Sequence, residues 1–372
     1  METYYLSANL YSRMIYVSIL VNQYRGDKQK KKAARDLLWK AQTGNSLVWC
    51  DSDITKNYQN RQEAYRNLMK AEHICREDSK IKSIVTRYDY NNDGLNEYVC
   101  NMTGFSALIS LTGGMVSSLE LPSNFGNYAD NMSRLLPFDG ATDNYRRGHF
   151  VDHFFTEKQL REYINNKKTN CIDRLPNITY NENTFKQASN YIRLDADTVI
   201  DADTPVHIEK KYSVSDNGML VVYIIRNTSD KKIKINFGVE FNFACLKYKG
   251  KDINYYKLEV VAEDEKYYIN DDANLVSDDG TEERTYKNLV NNMSSFRVND
   301  LESDWSFTYV PNEKCRFCCN TIEFKRPDSK GVNHKVEKTF VATAIWTLEI
   351  DPGLETEKNI SFSISQPKNL RK

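Results

Sequence analysis

The sequence has 372 residues, balances 51 Lys and Arg against 51 Asp and Glu, and is 40% hydrophobic and 12% aromatic, Tyr alone contributing 24 residues. That length and apolar content suffice for a real core and for more than one domain, while the balanced charge excludes a bulk attraction to nucleic acid or to an anionic membrane. No apolar run approaches the roughly 20 residues of a membrane helix, and the N-terminus lacks the basic, apolar and small-residue succession of a signal peptide. The expectation is a soluble, cytoplasmic protein with neither a nucleic-acid nor a membrane partner.

The first eighty residues differ in character from the rest. Lys28 to Gln42 and Lys56 to Cys75 are rich in Leu, Ala, Lys, Arg, Gln and Glu and free of Pro, which favours helix. Tyr11 to Val21 is less clear because β-branched residues are frequent in it. In the third stretch Tyr58, Ala64, Tyr65, Leu68, Met69 and His73 recur mostly at spacings of three and four, so one face is expected to be apolar. After Asp78 short runs of Val, Ile, Tyr, Phe and Thr alternate with Gly, Asn and Asp turns. Strands are expected at Ala107–Leu111, Met115–Leu121, Gly148–Phe155, Val206–Val214, Met219–Asn227, Lys232–Phe243, Tyr255–Ala262, Trp305–Val310, Thr321–Lys325, Thr339–Asp351 and Asn359–Ser365. Residues 158–199 carry no clear pattern. The fold class expected is mainly β with an N-terminal α part: a three-helix domain over 1–80 and a large antiparallel β-sandwich domain over 81–372.

The eight cysteines are scattered through a chain large enough to need no staples, so free thiols are expected. Cys315-Arg-Phe-Cys318-Cys319 has the spacing of half a zinc site but no companion pair. The Lys28 to Lys32 run reads as a solvated helix face, without the interleaved aromatics of a nucleic-acid patch.

Several segments resemble one known family. Tyr11-Ser-Arg-Met14-Ile-Tyr16-Val17-Ser18, Ala34-Arg35-Asp36-Leu-Leu-Trp39-Lys-Ala41-Gln42 and Glu63-Ala64-Tyr65-Arg-Asn67-Leu68-Met-Lys70-Ala71-Glu72 look like the helical middle region of glycoside hydrolase family 57. Asp89 to Glu97, Leu111-Thr-Gly113-Gly114 to Glu120, Asn127, Asn131 and Arg134, and Phe150-Val-Asp152-His153-Phe154 resemble the start of the C-terminal sandwich of its 4-α-glucanotransferase branch. Beyond Phe155 only strand character and Phe237-Gly-Val-Glu240-Phe-Asn242 extend the likeness. The resemblance implies a galactose-mutarotase-like supersandwich and an α-amylase or 4-α-glucanotransferase context. It also implies that the family's β/α barrel, with the carboxylate pair that glycoside chemistry needs, precedes this region, so no catalytic residue is expected within the chain. A family loop with Trp-His-Gly and a Gly pair is replaced here by Thr43 to Ile54.

Three places carry candidate chemistry. Asp89, Asn91, Asp93, the Leu95 carbonyl and Glu97 follow the ligand order of a calcium loop with Gly94 at its sharp turn, although Cys100 stands where an EF-hand has its bidentate Glu. The same residues also suit an Asn/Asp-rich turn held by side-chain to backbone bonds. Trp49 beside Asp51 pairs an aromatic platform with a carboxylate, as sugar sites do, or alternatively caps the helices. His153 lies on a strand in an apolar setting, with Asp152 turned to the opposite face; a core histidine and a sugar-binding one are both open. The expected function is the non-barrel portion of an α-glucan-active protein, binding α-glucan or maltooligosaccharide and supporting a catalytic barrel, either as a piece of a longer protein or as the partner of a separate barrel chain. The alternatives are a stand-alone carbohydrate-binding or scaffold protein and an aldose-epimerase-like enzyme using His153 or His207 with Glu240.

Overall fold

The computed structural model describes residues 5–47, 54–77, 83–130, 145–165, 175–200, 203–244, 256–262, 265–269, 275–277, 288–301, 303–327 and 333–366. Helix α1 runs over Tyr5–Gln23, α2 over Lys28–Ala41 and α3 over Ile54–Arg76. Leu10, Met14, Val17 and Val21 of α1 bury one stripe against Ala34, Leu38 and Ala41 of α2 and Ala64, Tyr65, Leu68 and Ala71 of α3. The stripe explains why α1 is helical from Tyr5 onward despite its β-branched residues: packing of the apolar face outweighs a propensity penalty of a few tenths of a kcal/mol per residue. Asp27 caps α2 by accepting from the Gln29 and Lys30 amides at 2.8 and 2.9 Å. Lys31 donates to the carbonyls of Asn22 and Tyr24, closing the end of α1, and Lys30 pairs with Glu77. The lysine run thus caps and tethers helices. His73 departs from the expected buried face: it is exposed and meets the edge of the Phe125 ring.

The β part is wholly antiparallel among the described pairings. Gly218–Asn227 lies between Pro205–Ser215 and Glu355–Ser365, and the latter also pairs with Trp305–Pro311. Ile233–Ala244 lies between His149–Phe155 and Asn333–Ile350, which continues to Cys315–Pro327. These two groups face each other: Tyr223 meets Phe237 at 5.2 Å, Phe241 meets Tyr309 at 4.5 Å and Phe243 meets Phe307 at 5.8 Å. Aromatic rings from both layers therefore interdigitate as in a sandwich core. Period-two alternation sends Met219, Val221, Tyr223 and Ile225 inward from one strand and Val206, Ile208, Tyr212 and Val214 from its neighbour.

The unpatterned stretch contains helix α4, Glu157–Ile164, and strands Asn181–Lys186 and Tyr191–Val199. The first of these strands is mostly exposed, so its polar sequence has no alternation to read. Helix α4 begins with a capping box of Thr156 and Gln159 and packs Leu160 and Ile164 on Phe155, Cys318 and Ile345. It thereby covers the outer face of the Ile233–Ala244 layer, whose residues are buried on both sides from Ile235 onward.

Candidate functional site

The outer face of Ile233–Ala244 carries a buried carboxylate, Glu240. Gly238 precedes it by one side-chain repeat, and a Cβ there would meet the Phe155 ring at 2.7 Å, so glycine lets that ring seat beneath α4. Tyr145 donates to both Glu240 oxygens at 3.2 and 2.9 Å, Tyr163 of α4 donates at 2.7 Å, and Arg147 at 3.1 Å. Asn242 donates at 2.8 Å, and His153 Nε2 stands 3.3 Å away. Burial alone would raise the Glu240 carboxyl, but Arg147 and the hydrogen bonds from His153 and Tyr163 offset it and hold the group well below the usual carboxylate range. Such a carboxylate is a poor base, because it scarcely binds a proton near neutral pH.

His153 thus converges on Glu240, as the epimerase alternative requires, yet it is 1% exposed and Glu240 is fully buried. His207 lies elsewhere, beside Asp197 at 2.8 Å. Asp152 faces the sandwich interior, where its Oδ2 accepts from Lys210 Nζ at 2.7 Å. Burial moves both members of that pair towards their uncharged forms, each partner pulling the other back. The lysine occupies an inward position in the run Val206, Ile208, Lys210, Tyr212, Val214.

In the Asp89 to Glu97 loop, Asp89 accepts from the Asp93 and Gly94 amides at 3.1 and 3.2 Å, and Asp93 from the Leu95 amide at 2.8 Å. Asn91 donates to Asp93 and to Glu97 at 2.8 and 3.1 Å. Burial pushes Glu97 up to about 7; the Tyr90 amide draws it back while Asp93 and Asp89 add to the rise. The oxygens hold the turn in the Asx manner, and the oxygen-only donor set is of the kind a hard cation takes. Among the described residues no three His, Cys, Asp or Glu side chains form a metal group, so Asn91 and the Leu95 carbonyl would have to complete any shell. Trp49 and Asp51 lie outside the described residues. Cys315, Cys318 and Cys319 are buried free thiols on one strand, with Cys315 and Cys318 pushed up to about 12 chiefly by burial.

Two buried arginines of the helices reach the sandwich. Arg13 of α1 donates to both Glu120 oxygens at 3.1 and 2.6 Å and meets Glu72 of α3 at 2.5 Å. Arg61 of α3 donates to Asp130 at 2.9 and 3.0 Å, and Gln62 adds a bond at 2.9 Å. Arg13, Glu72 and Glu120 all fall within the family-like segments, but only the tertiary structure brings them into one cluster. The polar face of Glu240 had a sequence signal, since Glu240 and Asn242 alternate with Phe237, Val239, Phe241 and Phe243; Tyr145, Arg147 and Tyr163 had none.

Fold and site together define a β-sandwich with a helical unit clamped onto it. Residues 128–298 match the family model of the α-amylase/4-α-glucanotransferase C-terminal domain. Over those residues the chain is therefore similar to the C-terminal domain of α-amylases and 4-α-glucanotransferases, in line with the family 57 resemblance of its motifs. A 4-α-glucanotransferase from Thermococcus litoralis matches 97% of the chain at 19% identity and a TM-score of 0.69. Only 50% of that enzyme is covered, so the chain spans about half its length. A galactose mutarotase related enzyme from Lactobacillus acidophilus matches at 9% identity, 74% of this chain, all 100% of that one and a TM-score of 0.46. A galactose mutarotase-like protein from Lactobacillus casei gives 11%, 76%, 100% and 0.45. A comparison with curated protein sequences found no match. Among the described residues no helix is long and apolar enough to cross a membrane.

Proposed function

We propose that this chain is the glucan-binding and supporting portion of a cytoplasmic α-glucan-active protein of the α-amylase/4-α-glucanotransferase type. In this reading a helical domain over 1–80 and a sandwich over 81–372 hold α-glucan or maltooligosaccharide, and a β/α barrel supplies the catalytic carboxylates. The observation that carries the reading is the matched C-terminal domain over residues 128–298. The helices are joined to the sandwich through Arg13 with Glu120 and Arg61 with Asp130, all four side chains buried, and of these only Asp130 lies within the matched stretch. A support must transmit load without hinging, and a bidentate buried arginine pair resists rotation better than an exposed contact does. Electrophoresis in gels containing glycogen or amylose tests the binding part. Retardation by either polymer is expected; unaltered migration in both overturns it.

The Asp89 to Glu97 loop is proposed to take calcium through Asp89, Asn91, Asp93, the Leu95 carbonyl and Glu97. The ligand order and the four oxygen-bearing side chains gathered on one turn support this. Calorimetric titration of chelator-treated protein is expected to give heat and a raised melting temperature; neither appearing overturns it. The epimerase alternative has the His153–Glu240 approach in its favour. Anomer conversion no faster than the uncatalysed rate, or unaffected by His153→Ala, removes it.

A further inference from the structure

Where α3 crosses the sandwich, a cleft of about 310 Å³ opens at the junction. Its floor is the Arg13, Glu72 and Glu120 cluster, one wall holds Met69, His73 and Arg76 of α3, and the other holds Asn101, Met102, Thr103 and Ser106. The volume lies at the lower end of the range of ligand sites, which favour junctions between packed units.

The charge pairing decides the ligand class. Arg13 is engaged by Glu72 and Glu120, Arg76 bonds Glu72 at 2.5 Å and the Tyr16 hydroxyl at 2.7 Å, and Glu77 pairs with Lys30 at 3.0 Å. No cation is left over for a phosphate among these groups, and the carboxylates are already answered by guanidinium or ammonium. What remains on offer is a set of fixed donors and acceptors, with the Ser106 hydroxyl and the capacity left unused by the Asn101 amide, which bonds Tyr16, and by the Thr103 hydroxyl, which bonds Ser83 and Asp216 at 3.1 and 3.3 Å. Met69 and Met102, both buried, and Pro122 give the cleft apolar surface. A neutral ring carrying hydroxyls on its edge and C–H groups on its faces matches both parts: the hydroxyls each donate and accept, and the ring face lies on thioether and proline.

We infer that this cleft is a binding site for a neutral saccharide of one or two pyranose units. The inference rests on the glucan reading above and assigns it a place, at the seam where helix and sandwich meet. Because every charged group on the floor is paired before a ligand arrives, and Thr103 is held by Ser83 and Asp216, the site is preformed and binding orders chiefly the exposed His73.

The full chain, with its methionine methyls labelled with carbon-13, is titrated with maltotriose and separately with inorganic phosphate. The Met69 and Met102 signals are expected to shift saturably with maltotriose and to stay fixed with phosphate. Two space-filling changes at the mouth, His73→Trp and Thr103→Trp, are each expected to weaken maltotriose binding about tenfold or more, the first at an unaltered melting temperature and the second at a lowered one, because it also removes the bonds to Ser83 and Asp216. If glycogen still retards the protein while the two methyl signals do not move, the cleft is overturned and the glucan reading survives. If neither retardation nor shift occurs, both fall. Phosphate moving the methyls more than maltotriose overturns the neutral-ligand assignment, and so does undiminished maltotriose binding by both tryptophan variants.

Discussion

The junction cluster and the cluster on the outer face are both buried and charged, and they are built with opposite imbalances. At the junction one guanidinium, Arg13, serves two carboxylates, and Arg76 helps only Glu72. On the outer face one carboxylate, Glu240, receives Tyr145, Arg147, Tyr163, Asn242 and His153. The titration directions follow from that difference. Burial raises Glu120 and its Arg13 partner does not fully offset it, with Glu72 adding to the rise. Glu240 is depressed because its donors outweigh burial. Burial of an ion pair is therefore no single quantity: the number of donors per carboxylate sets whether the charge is held or resisted.

The sharpest way to break the comparison is Glu240→Ala, which leaves Arg147 buried without its main partner; about 3–5 kcal/mol is expected to be lost in denaturant unfolding. Glu240→Gln adds a pH signature. A depressed carboxyl contributes stability that is present above its unfolded value of 4.5 and is lost as pH falls through the folded value. The melting-temperature gap between wild type and Glu240→Gln should accordingly be widest near neutrality and close progressively below pH 4.5; a gap independent of pH contradicts the assignment. Arg13→Met comes next, at about 2–3 kcal/mol near pH 7, because Glu72 keeps Arg76 while Glu120 is left to take up a proton. Its deficit should shrink on acidification, as read by unfolding at two pH values.

Glu120→Gln sharpens the contrast by being cheap, within about 1 kcal/mol at neutral pH. Here the sign reverses: a folded carboxyl above its unfolded value of 4.5 keeps a proton that the unfolded chain has lost, so wild-type stability falls as pH rises from 4.5 to the folded value. The glutamine variant should lack that fall, giving a flatter melting-temperature profile. Smallest of all is Trp39→Ser. Its ring is 57% exposed and lies under Arg35, and a change within about 0.5 kcal/mol is expected; a larger loss would mean that it packs on something.

Much of the fold could be read in advance because period carries it. The stripe of Ala64, Tyr65, Leu68 and Met69 and the alternation of Met219, Val221, Tyr223 and Ile225 each repeat at the spacing of their element. Strand Asn181–Lys186 escaped because an exposed edge needs no apolar face, and α4 because eight residues give the helical period barely two turns. His73 was misread as buried since its spacing alone fits the stripe; its position at the cleft mouth comes from where α3 crosses the sandwich.

Of the candidate chemistry, the loop from Asp89 to Glu97 was local and therefore visible, its ligand order being contiguous in the chain. The approach of His153 to Glu240 spans 87 positions of sequence and depends on the pairing of Gly238 with His153. The sequence by itself determined the strongly periodic elements, most of their buried faces and the contiguous Asp89 to Glu97 turn, all of which depend on neighbours within a few residues. Only the tertiary structure decided which charges meet, because Arg13 and Glu120 lie 107 positions apart, and no periodicity reaches across such a distance to say how many donors a buried carboxylate will find.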